Sequence, residues 1–405
     1  MYNVRKVQED LIWVGASDHR LNLFENIHRF HVEFLITLMC CWMKRMYCLI
    51  QWIGLYADNF WKIEYVLDGK KLDVIIIHHV EPDHLASLEE IMLRYPEAKI
   101  YATAKAITMM EQFGFAVEGK TQAVKEGDTL ELGKHTLTFV MAPMVHWPEV
   151  MVSYDSYGKT LFSADAFGTF GALDGKLFND EVDFDRDWID DARRYFTNIV
   201  GKYGVQTMNL LKKASQLDIE MICPLHGPVW RNNFSYIIEK HQLWATYTPE
   251  VKGVMIAYAS VYGHTESAAQ ALASKLVQAG IKDVVVYDVS NTDPSYLVSE
   301  AFKYSHIVLA SSTYNACIFP KMQEFLEHLK MLNFQNRTIA IMENGSWASM
   351  SGNLMRKMLE TMKNMNVLES TVKNQQFFAH RRTTGCIDRG NQTIYVRGLI
   401  ASFFV

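Results

Sequence analysis

Net charge, paired cysteines and uninterrupted apolar runs are all scarce in this chain, and each scarcity excludes something. The 405 residues hold 40 Lys+Arg against 45 Asp+Glu, a net charge of −5. That leaves no basic footprint for nucleic acid or an anionic membrane. Six cysteines show neither a disulfide framework nor a CxxC pair, which suits a reducing cytoplasm. The most apolar stretch, 32–56, is broken near its middle by Lys44 and Arg45. Central charges are costly in lipid, so no transmembrane helix is expected. The opening ten residues lack the apolar core of a signal peptide. No repeat or low-complexity tract is present. What remains is ordinary for a soluble globular chain, 49% hydrophobic and 21% charged, with a length that predicts two domains.

Residues 79–84 read His-Val-Glu-Pro-Asp-His. They follow the apolar run Val74–Ile77, so they sit where a buried strand ends and a loop opens. Four ligand-type side chains fall within six positions, with Pro82 stiffening the turn. Imidazole suits iron, zinc and copper, and carboxylate suits harder ions. The mixture favours iron or manganese over a thiolate-type zinc site. His78 is also available, but the spacing works best from His79.

The pattern changes near residue 248. Gly253–Tyr258 reads as a buried strand, then comes the small polar loop Ser260-Val-Tyr-Gly-His-Thr265, then a helix over Ser267–Gln278. Strand, loop, helix aims backbone N–H groups and hydroxyls at a phosphate. The loop has no lysine, so it is not a Walker A site. Further strands are predicted at Val284–Tyr287, Ile307–Ala310 and Thr338–Met342, alternating with helices. That order implies a doubly wound parallel sheet with its ligand at the strands' carboxyl ends.

The first half resembles the metallo-β-lactamase superfamily, whose usual metal loop is His-x-His-x-Asp-His. Glu81 in place of the second histidine marks the flavodiiron proteins (A-type flavoproteins), which this sequence resembles over most of its length. The resemblance implies an N-terminal αββα sandwich over 1–248 and a flavodoxin-like domain over 252–405, an α+β fold followed by an α/β one. It implies further ligands at His146 (in Ala-Pro-Met-Val-His-Trp-Pro), Asp165 (in Ser-Ala-Asp-Ala-Phe-Gly) and His226 (in Cys-Pro-Leu-His-Gly-Pro). His79, Glu81 and His146 are expected on one iron, and Asp83, His84 and His226 on the other. Asp165 is expected to bridge them. In some members the histidine matching His84 points away from the metal. Trp147 and Tyr195 are candidates to act beside the irons, Tyr195 as a donor from a helix near Ala192–Val200.

For the second half the resemblance implies FMN. Its phosphate is expected on Ser260, Val261, Tyr262, Gly263, His264 and Thr265. Its ring is expected beside Ser312, Thr313, Tyr314, Asn315, Asn344, Gly345, Ser346 and Trp347. Members of the family reduce dioxygen to water or nitric oxide to nitrous oxide. They work as head-to-tail homodimers or dimers of dimers, with electrons from a small carrier such as rubredoxin. The missing CxxC pairs exclude a rubredoxin module within this chain. Two other readings stay open: a zinc hydrolase carrying a flavodoxin module, and a flavin electron carrier whose metal only stabilises the fold.

Two stretches depart from the family. Residues 28–55 hold three of the six cysteines and show neither a period of 2 nor one of 3.6, and 376–405 lack the amphipathic helix due there. Codons that permit either stretch can, in another frame, restore a strand-turn-strand and an amphipathic helix. Both therefore read as reading-frame errors, with a divergent insertion and tail as the alternative. Sequencing the encoding DNA decides between them. A lost hairpin in the first domain and a lost last helix in the second are the expected consequences.

Overall fold

The computed structural model describes residues 3–18, 23–29, 34–36, 39–41, 47–49, 57–374 and 401. They form two compact units, Met1–Gln242 and Leu243–Val405.

The first unit is built on two sheets. One holds seven strands in the order Arg5–Lys6, Leu11–Trp13, Met39–Cys41, Tyr47–Leu49, Val74–Ile76, Lys99–Thr103 and Thr121–Val124. Its first four strands pair antiparallel and its last four parallel. The alternation of side chains along a strand splits its central residues between two faces. Ile75, Ile100 and Ala102 are buried against the helices Ala57–Leu67, Leu88–Arg94 and Ala104–Gln112, through Ile63, Leu67, Leu88, Ile91, Ala106 and Met110. From the other face Tyr101 stacks on Phe139 of the second sheet, with centroids 6.5 Å apart. That sheet runs Thr129–Leu132, His135–Met141, Met151–Asp155 and Thr160–Phe162 antiparallel, closed by Met221–Cys223 in parallel.

The expectation that the chain as written loses its early hairpin is not met at the level of backbone. Cys40 pairs with Cys48 and with Ile12, so 39–41 and 47–49 lie within the sheet. Ladder hydrogen bonds join main-chain groups, so the flanking strands Leu11–Trp13 and Val74–Ile76 can hold this segment whatever its side chains. The expected helix over 376–405 lies outside the described residues, apart from residue 401.

A buried charged cluster ties the amino-terminal strands to the second sheet. His135 Nδ1 lies 2.5 Å from Asp155 Oδ2 and its Nε2 2.8 Å from Asp10 Oδ2. Lys134 reaches the same Asp10 oxygen at 2.6 Å. Burial disfavours the charged imidazole, but the bonds to Asp155 and Asp10 outweigh it and raise the pKa of His135. The stability this supplies is full below the unfolded value and fades as pH rises through the higher folded one. A His135→Gln chain should therefore lose most stability relative to wild type below about pH 6. The gap should narrow at alkaline pH. Urea melts at the two extremes check this, and a gap independent of pH would refute it.

The second unit is a parallel sheet in the order Val284–Asp288, Val251–Ala259, Tyr304–Tyr314, Arg337–Asn344 and Met365–Asn374. The helix His264–Gln278 packs on one face through Ala268, Ala269, Leu272 and Leu276. Pro294–Lys303, Pro320–Met331 and Ser351–Leu359 pack on the other. The predicted strands are all present but longer than the apolar runs suggested. The fifth, Met365–Asn374, was not anticipated, because its polar residues hide the pattern.

Candidate metal centre and cofactor pocket

Every metal-ligand candidate stands where a strand of the first unit stops. Val74–Ile76 delivers 79–84, His135–Met141 leads to His146, Thr160–Phe162 to Asp165 and Met221–Cys223 to His226. The buried strands fix the depth of the loops, and the loops are free to turn polar side chains inward. One atom each from His79, Glu81, His146 and Asp165 lie within 4.8 Å of one another, as do Asp83, His84 and His226. Asp165 spans the two sets. Its Oδ2 is 3.4 Å from His79 Nε2 and 3.2 Å from His146 Nε2, and its Oδ1 is 3.4 Å from His84 Nε2 and 3.6 Å from His226 Nε2. His84 points into the cluster. His78 does not: it turns away to Ser153 at 2.8 Å, and burial lowers its pKa to about 3.

The donor set fits cations. Both carboxylate oxygens of Asp83 and of Asp165 are buried without a hydrogen bond of ordinary geometry among the described residues. Burial would push the Asp165 carboxyl up, but the surrounding histidines, His84 foremost, hold it well below the usual carboxylate range. For His79 burial works downward, and the bonds to Glu149 and Glu81 lift it to about 9. Asp83, driven by burial, rises to about 7. Bringing ionised carboxylates and imidazoles into so little volume is costly unless positive charge joins them. Four imidazoles and three carboxylates suit iron better than a thiolate-type zinc site.

Aromatic rings wall the cluster. Trp147 stands edge-on to His79, and Phe24 to His226, at 5.2 and 5.9 Å between centroids. Tyr195 ends the helix Ile189–Tyr195, before a wider turn over Phe196–Val200, so the predicted continuous helix is interrupted there. Its ring lies 5.6 Å from His226, and its hydroxyl is buried with no hydrogen bond among the described residues. Burial first, and then Asp165 and Glu81, raise its pKa well above the ordinary value. It is a neutral phenol with a proton to donate. Two groups were not foreseen. Glu149 is bonded to His79 at 2.5 Å. Glu25, on a left-handed turn with φ of 47°, reaches Glu81, and burial together with that carboxylate raises it to about 7. A Trp-Pro-Glu sequence just after His146 is the one signal that could have found Glu149.

Gly227 shows how tightly the His226 loop is held. Its φ is +88°, and a Cβ there would stand 2.2 Å from Thr169 Cγ2. Thr169 is buried, so it cannot swing aside. Gly227→Ala should cost roughly 2–4 kcal/mol from overlap and backbone strain together. It should also displace His226. Thermal melts and metal content check this, and an unchanged melt would contradict it.

In the second unit a pocket of about 420 Å³ opens at the carboxyl ends of the strands. Ser260, Val261, Tyr262, His264, Ser312, Thr313, Tyr314, Asn315, Asn344, Gly345, Ser346 and Trp347 line it, with Ala316 and Ala348. Gly263 and Thr265 do not. Gly263, at φ 87°, begins the 15-residue helix and donates its N–H to Ser260 Oγ at 2.9 Å. The Thr265 hydroxyl meets Ser312 Oγ at 2.8 Å and accepts from Asn344 at 3.2 Å, tying the start of the helix to the ends of two strands. Trp347 is 94% exposed and Tyr262 88%. Large rings left in water at a pocket mouth suit stacking on a flat heterocycle.

Among the described residues no helix is long and apolar enough to cross a membrane. Residues 53–227 match the ODP family beta lactamase model, and residues 255–384 match a flavodoxin domain. The chain is 32% identical to the anaerobic nitric oxide reductase flavorubredoxin of Klebsiella pneumoniae, over 70% of this chain and 59% of that one. It thus spans about three-fifths of that relative's length. In structure it is similar to the rubredoxin oxygen:oxidoreductase of Desulfovibrio gigas, with a TM-score of 0.89, 25% identity, and coverage of 99% and 98%. The flavodiiron protein of Giardia intestinalis has the same fold, with a TM-score of 0.89, 20% identity and the same coverage. The chain thus carries a beta-lactamase domain of the ODP type ahead of a flavodoxin domain, the architecture of the flavodiiron structures it is similar to.

Proposed function

We propose that this protein is an oxidoreductase that reduces dioxygen to water, nitric oxide to nitrous oxide, or both, at a non-haem diiron centre fed by FMN. The observation that carries the reading is Asp165, whose two unbonded oxygens face histidines of both ligand sets. His79, Glu81 and His146 would hold one iron, Asp83, His84 and His226 the other, with Asp165 between them. Ser260, Val261, Tyr262 and His264 of the pocket lining would hold the FMN phosphate at the helix N-terminus, with Gly263 and Thr265 shaping that loop from behind, and Trp347 and Tyr314 would stand beside the ring. When bound, two irons and a reduced flavin supply four electrons beside one diatomic molecule. The chain's own part is to orient and to protect. Phe24, Trp147 and the ring of Tyr195 keep bulk water from the ligand sets, and the Tyr195 hydroxyl offers a proton or hydrogen bond to an oxygen held among them.

The donor would be a small electron carrier, in keeping with the rubredoxin in the name of the Desulfovibrio gigas protein. A head-to-tail homodimer in a reducing cytoplasm completes the proposal. The two other readings, zinc hydrolase and passive electron carrier, find no observation in their favour. Metal and flavin analysis of the purified full-length chain separates them. Two irons and one FMN per chain are expected, and zinc without oxygen uptake would favour the hydrolase.

A further inference from the structure

Glu149 is outside both ligand sets, yet few side chains in the first unit are held as firmly. Its carboxylate is closed off from solvent, with Oε1 2.5 Å from His79 Nδ1. The backbone N–H of Val80 donates to the same oxygen at 3.1 Å. Its own carbonyl accepts from the Thr103 hydroxyl at 2.9 Å, and that hydroxyl in turn accepts from the N–H of Ala106 in the first turn of Ala104–Gln112. The other nitrogen of His79, Nε2, faces Glu81 at 3.2 Å and Asp165 at 3.4 Å. The two edges of this imidazole therefore do different work. Nδ1 faces the Glu149 carboxylate, and Nε2 is aimed into the cluster.

His78 is the internal comparison. It is equally buried at the same strand end, and among the described residues a hydroxyl, Ser153 Oγ at 2.8 Å, is what meets its Nε2. A histidine kept for packing needs nothing stronger. A buried carboxylate is an expensive partner, and its second oxygen, Oε2, is left without a hydrogen bond among the described residues. That cost is hard to account for by stability alone. Glu149 also stands on the loop that carries His146 and Trp147, so one side chain ties together the two loops that bring His79 and His146.

We infer that Glu149 is a positioning residue, which fixes His79 with its proton on Nδ1 and makes Nε2 a stronger donor to the metal ion of the His79–Glu81–His146 set. The inference rests on the diiron reading. A carboxylate behind a ligating histidine orients the ring and raises its basicity. The charge matters as much as the geometry, so glutamine, which can still accept from Nδ1–H, replaces only part of the function.

The test is anaerobic iron(II) titration of the full-length protein against a chromophoric chelator, for wild type, Glu149→Gln and Glu149→Ala. Wild type should hold two ions. Glu149→Gln should release one of them roughly 10- to 100-fold more readily, with the second unchanged, and Glu149→Ala should be weaker again at the same ion. Both ions held within about twofold of wild type by the two variants, or both loosened equally, would overturn the inference and leave the diiron reading standing. A wild-type chain that binds no iron would overturn both. Should the variants fail to fold, nitrogen-15 histidine spectra of the zinc-loaded wild type decide instead. His79 should carry its ring proton on Nδ1, and a proton on Nε2 would contradict the inference.

Discussion

Asp165→Ala should leave the full-length protein with less than one iron per chain and cut gas reduction by about 100- to 1000-fold, the loss of several kcal/mol of metal-supplied stabilisation at about 1.4 kcal/mol per factor of ten. The size of the effect follows from position. Asp165 is 1% exposed, and among the described residues it is the one carboxylate whose two oxygens between them come within 3.6 Å of Nε2 of His79, His146, His84 and His226. Alanine removes a negative charge from both ligand sets at once and leaves two neighbouring cations to repel each other with less compensation. Asp165→Asn is the informative companion. It keeps one oxygen and the volume, so it should hold iron better than alanine but still below wild type. The flavin should be unaffected in both, because the FMN pocket belongs to the second unit. Iron and FMN counted on the same sample check this, and two irons per chain in Asp165→Ala would refute it.

The second large effect concerns stability and a side chain remote from any chemistry. Arg337→Met should lower the stability of the second unit by roughly 3 kcal/mol or more, since each buried carbonyl left unpaired costs about 1–3 kcal/mol. Arg337 is buried, and burial lowers its pKa to about 9. Its guanidinium is spent on main-chain carbonyls: Ala301 at 3.3 Å, Tyr247 at 2.6 Å, Gln335 and Asn336 at 3.1 Å and Phe302 at 2.5 Å. These bonds join the start of one strand to the end of the helix Pro294–Lys303 and to the segment leading into the unit. Methionine fills the volume and offers no donors. Lysine brings three donors on one atom and cannot span a planar fan of acceptors, so Arg337→Lys should recover only part of the loss. For a unit of this size the methionine variant should release its flavin about 6–12 °C earlier on heating. Its iron content should stay at the wild-type value. A release temperature within about 2 °C of wild type would contradict the argument.

The clustering of the candidate metal ligands was legible because their positions in the sequence are local. Four of the seven ligand candidates are packed into 79–84, and the other three repeat one context, an apolar strand giving way to a polar turn. The strand–loop–helix proposed for the flavin phosphate was legible for a similar reason, since strand, small polar residues and helix lie in unbroken succession from Val251 to Gln278. What escaped notice depends on contacts between segments far apart in sequence. Glu149 reads as a solvated acid after Pro148 until the second sheet brings it behind His79. Glu25 reads as a surface residue until a left-handed turn carries it to Glu81. Arg337 reads as an ordinary strand-end charge until its carbonyl partners close around it. The strand Met365–Asn374 was missed because an edge position tolerates the polar residues that break an alternating pattern.

One measurement bears most directly on the central claim that a flavin and a carboxylate-bridged iron pair act together. The full-length chain is reduced to completion without oxygen, then mixed with a limiting pulse of dioxygen or of nitric oxide, and product and oxidised flavin are quantified on the same sample. Four electrons should leave each protein for each dioxygen consumed, with water and no peroxide formed, or nitrous oxide should appear at one molecule for every two of nitric oxide. Release of peroxide in step with flavin oxidation, at a rate indifferent to whether iron is present, would contradict the account.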